Sequence, residues 1–169
     1  MVWLIDGYNV IRRDPELAGI DRRSLEEGRE ALLRLVARVA RESPDEFVVV
    51  FDGIKSRATA RSDRRVSVVF SKPPEKADDV LIRLARQRGA GATVVSSDHA
   101  VQDGARRVRA AAVGADAFLE RTSEDGAEDR DGGDEEADQP QPKKGNPRRL
   151  SRAARQAQRA LGRLRMQPK

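Results

Sequence analysis

The sequence contains no cysteine. Disulfides, thiolate zinc sites and a cysteine nucleophile are therefore excluded, and the composition suits a reducing compartment, with the cytoplasm as the expected location. Histidine is almost as scarce. His99 is the single example, so no pair of imidazoles can share acid–base work, and a Ser-His hydrolase would have to be built around that one residue. Long apolar runs are missing as well: nothing approaches the roughly 18 residues of a membrane-spanning helix, and the opening Val2-Trp3-Leu4-Ile5 lacks the basic flank of an export signal. Neither export nor a membrane partner is expected. Aromatic residues make up 4% of the chain, too few and too scattered for the stacking platform of an RNA-recognition sheet. Trp3 is read as core, and Tyr8 as a ring able to stack on a base. Carboxylates, Lys, Arg and metal remain as the means of chemistry.

Charge is plentiful but unevenly placed. The formal net charge is +5, and it is the sum of three unlike segments. Residues 1–120 carry a net charge of +2, residues 121–138 of −7, and residues 139–169 of +10 with no acid at all. A near-neutral body thus carries a polarised tail. Residues 121–149 lose all apolar periodicity and read as an acidic, then Pro/Lys-rich, disordered linker. From residue 150 to 169, Leu150, Ala154, Ala157, Leu161 and Leu164 recur at helical spacing among arginines. This is a basic amphipathic helix, expected to fold on a partner such as RNA.

Within residues 1–120, short Val-rich runs at 2–5, 47–51, 66–70, 92–95 and 110–113 are continuous rather than alternating, which suggests strands buried on both faces. Between the first two, Leu25, Leu32, Leu35, Val36 and Val39 recur at helical spacing, and Ser24 with Glu27 forms a capping box. Further helices are expected from about residues 73–74 to 89 and from about 98 to 107. The alternation predicts a three-layer α/β/α sandwich on a mostly parallel sheet.

Three of the strand candidates run into an acid: Ile5 into Asp6, Phe51 into Asp52, and Val95-Ser96-Ser97 into Asp98. In a parallel sheet these ends share one edge. Asp78 and Asp79 open the helix after the third strand and belong to the same edge. Helical phase puts Asp78 beside the apolar stripe and Asp79 on the far side with Arg83, favouring Asp78 as the ligand. Carboxylates gathered this way repel one another unless a cation sits among them, and an all-oxygen set favours Mg²⁺ or Mn²⁺. Such a cation suits phosphodiester hydrolysis. Asn9, within Asp6-Gly7-Tyr8-Asn9, adds an amide suited to a metal-bound water or a phosphate. Simple structural roles compete for several of these acids: Asp98 as a helix cap, Asp52-Gly53 as a turn, Asp79 as a partner of Arg83, and Asp103 as a partner of Arg106 or Arg107.

The segments 4–11 (LIDGYNVI), 49–53 (VVFDG), 77–79 (ADD) and 94–98 (VVSSD) resemble the NYN domain of the YacP-like group within the PIN-like nuclease superfamily, over residues 1 to about 120. The resemblance implies a PIN-like fold and a divalent-metal-dependent endoribonuclease, associated with translating ribosomes and mRNA decay. By match to the motifs, Asp6, Asp78 and Asp98 form the acidic core, with Asp52 and Asp79 as further candidate ligands. The chain departs from the pattern at Lys76, where such motifs often have Thr, and at Arg109, where the turn into the last strand more usually has Gly. Lys55, Arg57, Arg61, Arg64 and Arg65 follow Asp52 and are candidates to hold RNA phosphates beside the acids. The competing reading is an RNA-binding or ribosome-associated adaptor with the same fold and no catalysis. A phosphoacceptor receiver domain fails, because no Lys occurs between Lys76 and Lys143.

Overall fold

A computed structural model describes residues 1–53, 65–123 and 152–164. Its centre is a five-stranded, wholly parallel sheet of β1 (Val2–Asp6), β2 (Glu46–Phe51), β3 (Val66–Phe70), β4 (Ala92–Val95) and β5 (Ala111–Val113), in the order β3-β2-β1-β4-β5. All five expected strands are present. Alternate residues of β1 enter two separate cores: Trp3 and Ile5 pack with Phe47, Phe51, Leu32 and Phe118, whereas Val2 and Leu4 pack with Val50, Leu81, Val94 and Val101. Both faces are dry, which is why the strands read as unbroken apolar runs.

One face is covered by α1 (Gly7–Arg13), α2 (Pro15–Asp21), α3 (Leu25–Glu42) and α6 (Ala115–Thr122), the other by α4 (Ala77–Arg88) and α5 (His99–Arg107). The three-layer sandwich is as the sequence predicts. Ser24 caps α3, its Oγ accepting from the Glu27 N–H at 3.3 Å. The second expected helix begins later than the prolines suggest, at Ala77, because Asp52 anchors that end of the chain, as set out below.

The final helix, α7 (Arg152–Arg163), corrects one expectation. It does not wait for a partner but packs on β5, with Ala160 and Leu164 buried in the same core as Trp3 and Phe118. The sequence prediction placed an apolar stripe there and missed that the domain's own sheet edge receives it. Leu150 and the acidic stretch from residue 124 lie outside the described residues. The body also runs past the expected boundary at 120, since α6 extends to Thr122. Among the described residues, no helix is long and apolar enough to cross a membrane.

Candidate active site at the switch of the sheet

In this strand order the chain progresses outward from β1 in both directions, so β1 and β4 flank the point where the winding reverses. A crevice opens there at the carboxyl ends of the strands. Asp6 is the last residue of β1 and Ser96 follows β4 directly. Across the crevice, Ser96 Oγ donates to Asp6 Oδ2 at 2.9 Å, and the Ser97 N–H donates to Asn9 Oδ1 at 2.7 Å. Asp6 Oδ1 also accepts the Asn9 N–H at 3.2 Å and so caps α1. Asn9 thus spends its carbonyl on tying α1 to the turn after β4. Gly7 is required between Asp6 and Asn9: a Cβ there would lie 2.3 Å from the buried Phe51 ring.

The other acids arrive from different elements and play different parts. Asp52 follows β2, and its Oδ1 accepts both Ser71 Oγ and the Ala77 N–H at 2.7 Å. It thereby pins the first residue of α4 to the end of β3, which places Asp78 at the mouth of the crevice. The turn after it needs Gly53, whose φ is 102°. Asp98 caps α5, its Oδ1 accepting the Ala100 and Val101 N–H groups at 2.7 and 3.2 Å. Its capping role is therefore real, and Oδ2 remains for other work. Asp79 turns back to accept the Lys76 N–H at 3.1 Å, while Arg83 pairs with Glu75 instead. The expected Asp79–Arg83 pair is not formed. Asp103 does pair with Arg106, at 2.9 Å.

Electrostatics single out two of the carboxylates. Burial pushes the Asp6 carboxyl above the ordinary carboxylate range, its hydrogen bonds to Asn9 and Ser96 oppose this, and the charges of Asp78 and Asp52 add to it. Asp78 is raised too, first by partial desolvation and then by Asp98, Asp52 and Asp79. Carboxylates from four elements thus feel one another across the crevice. Among the described residues no three His, Cys, Asp or Glu side chains stand close enough to hold an ion outright. The donors are nonetheless all hard oxygens, and Mg²⁺ characteristically keeps several waters and takes only one or two carboxylates directly. The chemistry of this donor set is that of a hydrated hard cation.

A stability consequence follows from the sign of these shifts. A carboxyl with a raised folded pKa holds its proton more tightly in the native state than in the unfolded chain, so native stability falls as pH rises from the ordinary carboxylate value through the raised one. In metal-free buffer the unfolding midpoint is expected to be higher just below that window than above it. Asp6→Asn should flatten the difference, as measured by thermal unfolding across pH.

Two features were not visible in the sequence. Asp116, in the first turn of α6, joins the same edge: Ser97 Oγ donates to its Oδ2 at 3.4 Å, and Arg13 lies 3.5 Å away. Arg29 of α3 is buried and donates through Nε to Tyr8 Oη at 2.8 Å, with its guanidinium 5.3–5.5 Å from the Tyr8, Phe51 and Phe70 ring centres. Tyr8, half-buried, is therefore held against the protein by cation–π and hydrogen-bond contacts and is not a free platform for a base. Of the basic stretch, only Arg65 is described, and its place is a correction. Lys55, Arg57, Arg61 and Arg64 lie outside the described residues. Arg65 sits at the start of β3, on the opposite sheet edge from the acids, and donates to the Ser43 carbonyl at 2.5 Å just past the end of α3. Adjacency in sequence to Asp52 misled because a parallel crossover carries the chain back to the far edge before β3 begins.

Comparison with known proteins agrees with this geometry. YacP of Bacillus subtilis is 33% identical over 106 residues, covering 60% of this chain and 62% of that protein, which is under two thirds of its length. The crystal structure of Rae1 (YacP) from Bacillus subtilis superposes with a TM-score of 0.64 at 29% identity, over 72% of this chain and 73% of that one. Its W164L mutant gives 0.62 at 28% identity, over 72% and 74%. The YacP-like NYN domain model matches residues 3–164. With a parallel sheet, an acid-lined switch point and a match over nearly its whole length, the chain belongs to the YacP-like NYN domain family of PIN-like nucleases.

Proposed function

We propose that the protein is a divalent-metal-dependent endoribonuclease that hydrolyses RNA phosphodiester bonds, with mRNA at the ribosome as its substrate. The observation that carries this reading is the convergence of Asp6, Asp52, Asp78 and Asp98 from four elements on one crevice, with Asp6 and Asp78 each raised in pKa first by burial and then by neighbouring carboxylates. Clustering of this kind marks a site built around a positive ligand. Mg²⁺ or Mn²⁺ held among Asp6, Asp78 and Asp98, in part through its own waters, would supply Lewis acidity and an activated water at neutral pH. In this reading the Asn9 amide would orient a phosphate oxygen, Ser96 would orient Asp6 through its hydrogen bond, and Asp52 would keep Asp78 in position through the Ala77 N–H. Addition of EDTA should abolish cleavage of a single-stranded RNA, and Mg²⁺ or Mn²⁺ should restore it. Cleavage that persists in EDTA would overturn the reading.

Asp52 acts here through Asp78, and its removal tests that role. Asp52→Ala is expected to lower cleavage about tenfold to a hundredfold, as loss of an orienting partner does at metal sites. The metal concentration for half-maximal cleavage should rise in parallel, which a purely structural defect would not produce. The alternative reading, an RNA-binding adaptor without catalysis, draws on Lys76, whose charge opposes the rise at Asp78 and could partly replace a cation. It predicts RNA binding indifferent to metal and no cleavage products.

A further inference from the structure

A second charged surface lies away from the acids. A trough of about 940 Å³ has Arg152, Arg155 and Arg159 of α7 on one wall and Arg106 and Arg109 on the other, with no acid among the described residues that line it. All five arginines are exposed. Of these five, Arg106 alone has a carboxylate partner among the described residues, Asp103. Ala90, before β4, and Arg109, before β5, also line it, so the trough belongs to the amino-terminal edge of the sheet, the edge opposite the crevice. Five parallel-strand residues separate the two edges by roughly 15 Å.

Arg109 adds an independent observation. Its φ is 68°, and it is the only non-glycine with positive φ among the described residues. Glycine would adopt this turn without the penalty of roughly 1–2 kcal/mol that a Cβ incurs. This left-handed residue ends α5, the Ala110 N–H closing back on the Ala105 carbonyl at 3.0 Å, so a turn that favours glycine instead carries a guanidinium that lines the trough. On α7, Arg152, Arg155 and Arg159 follow at i, i+3 and i+7, one stripe about 10 Å long, while Ala160 and Leu164 bury the opposite side.

We propose that this trough is a second RNA-binding site, in which arginines from two walls hold the phosphates of a single strand and dock the RNA independently of the acidic crevice. The choice of RNA as the ligand rests on the nuclease reading above; the site itself does not. Guanidinium groups suit this task because each offers a planar fork of donors to phosphate oxygens.

The test measures binding of a labelled single-stranded RNA in EDTA, with Asp6→Asn as the background so that no cleavage intervenes. Converting Arg152, Arg155 and Arg159 together to Gln should weaken binding about a hundredfold at 0.1 M salt and reduce the salt slope by about 2, the counterion release of three single-strand contacts. The corresponding triple Lys variant should retain most of the affinity. Arg109→Gly should weaken binding while leaving thermal stability equal or higher. Unchanged RNA affinity in the triple Gln variant would overturn the proposal, and so would displacement of RNA by poly-glutamate of equal charge as readily as by RNA itself, since that would mark an acidic-polypeptide site. Absence of cleavage by the wild-type protein would defeat the nuclease reading alone, because the binding measurements do not depend on it.

Discussion

Asp6→Asn is expected to reduce RNA cleavage by at least about a thousandfold, equivalent to about 4 kcal/mol of lost transition-state stabilisation. The substitution is nearly isosteric and keeps the acceptor for the Asn9 N–H, and Ser96 Oγ, which now donates to Oδ2 at 2.9 Å, can rotate to accept from the new amide. What disappears is the buried negative charge. Because that charge is held at a cost of desolvation, the variant should unfold at the same temperature as the wild type or higher near neutral pH. Addition of Mg²⁺ should raise the wild-type midpoint and leave that of the variant almost unmoved, since a ligand that binds only the native state stabilises it by mass action. An inactive protein of undiminished stability is the signature of a residue retained for function. Cleavage at wild-type rate by Asp6→Asn would place the chemistry elsewhere.

The largest effect on stability is expected at Trp3. Its ring is fully buried, stacked on Phe47 with centroids 6.3 Å apart and tilted against Phe118 at 6.1 Å, while Nε1 donates to Asp45 Oδ2 at 2.9 Å. Truncation to Ala removes this packing and leaves a cavity at the centre of the sheet, a loss of about 3–5 kcal/mol. Asp45, buried and still bound by the Met1 amino group at 2.8 Å, would lose its second partner, adding about 1–3 kcal/mol. Against a typical total of about 5–15 kcal/mol, the variant should be largely unfolded at 37 °C. Trp3→Phe separates the two terms, because it keeps most of the packing and loses only the hydrogen bond. Urea denaturation followed by circular dichroism measures both, since the chain's single tryptophan is lost as a fluorophore.

The strands and the long α3 were legible because each announces itself locally: a run of Val and Phe buried on two faces, or a Ser-x-x-Glu cap before an apolar stripe. The helices α1 and α6 were not. Gly7 and Asn9 look like a loop until Asp6 is seen to cap them, and α6 is too short for its period to stand out. Asp14-Pro15, a cap followed by a first-turn proline, did mark α2 and could have been read. At the site, acids placed directly after strands were visible from the chain. Asp116 was less so, because it follows β5 only after Gly114 and Ala115. Arg29 could not be seen at all, since nothing local connects it to Tyr8, 21 residues earlier. The position of Arg65 shows the opposite failure, where proximity along the chain stood in for proximity in space.

The bond from Ser96 to Asp6 joins residues 90 positions apart, and that separation governs when the site can exist. β1 is the first strand to be made and the central one in the sheet, yet it completes its pairing only when β4 arrives. Contacts of such long range are slow to form, because loop closure must precede the packing that rewards it. A partly folded chain can pair β1 with β2 and still lack Ser96, Ser97 and Asp98 at the crevice. The acid-lined crevice is therefore incomplete until the last half of the sheet has closed, so a nascent or misfolded copy of this protein lacks Asp98 and the Ser96–Asp6 bond at the site.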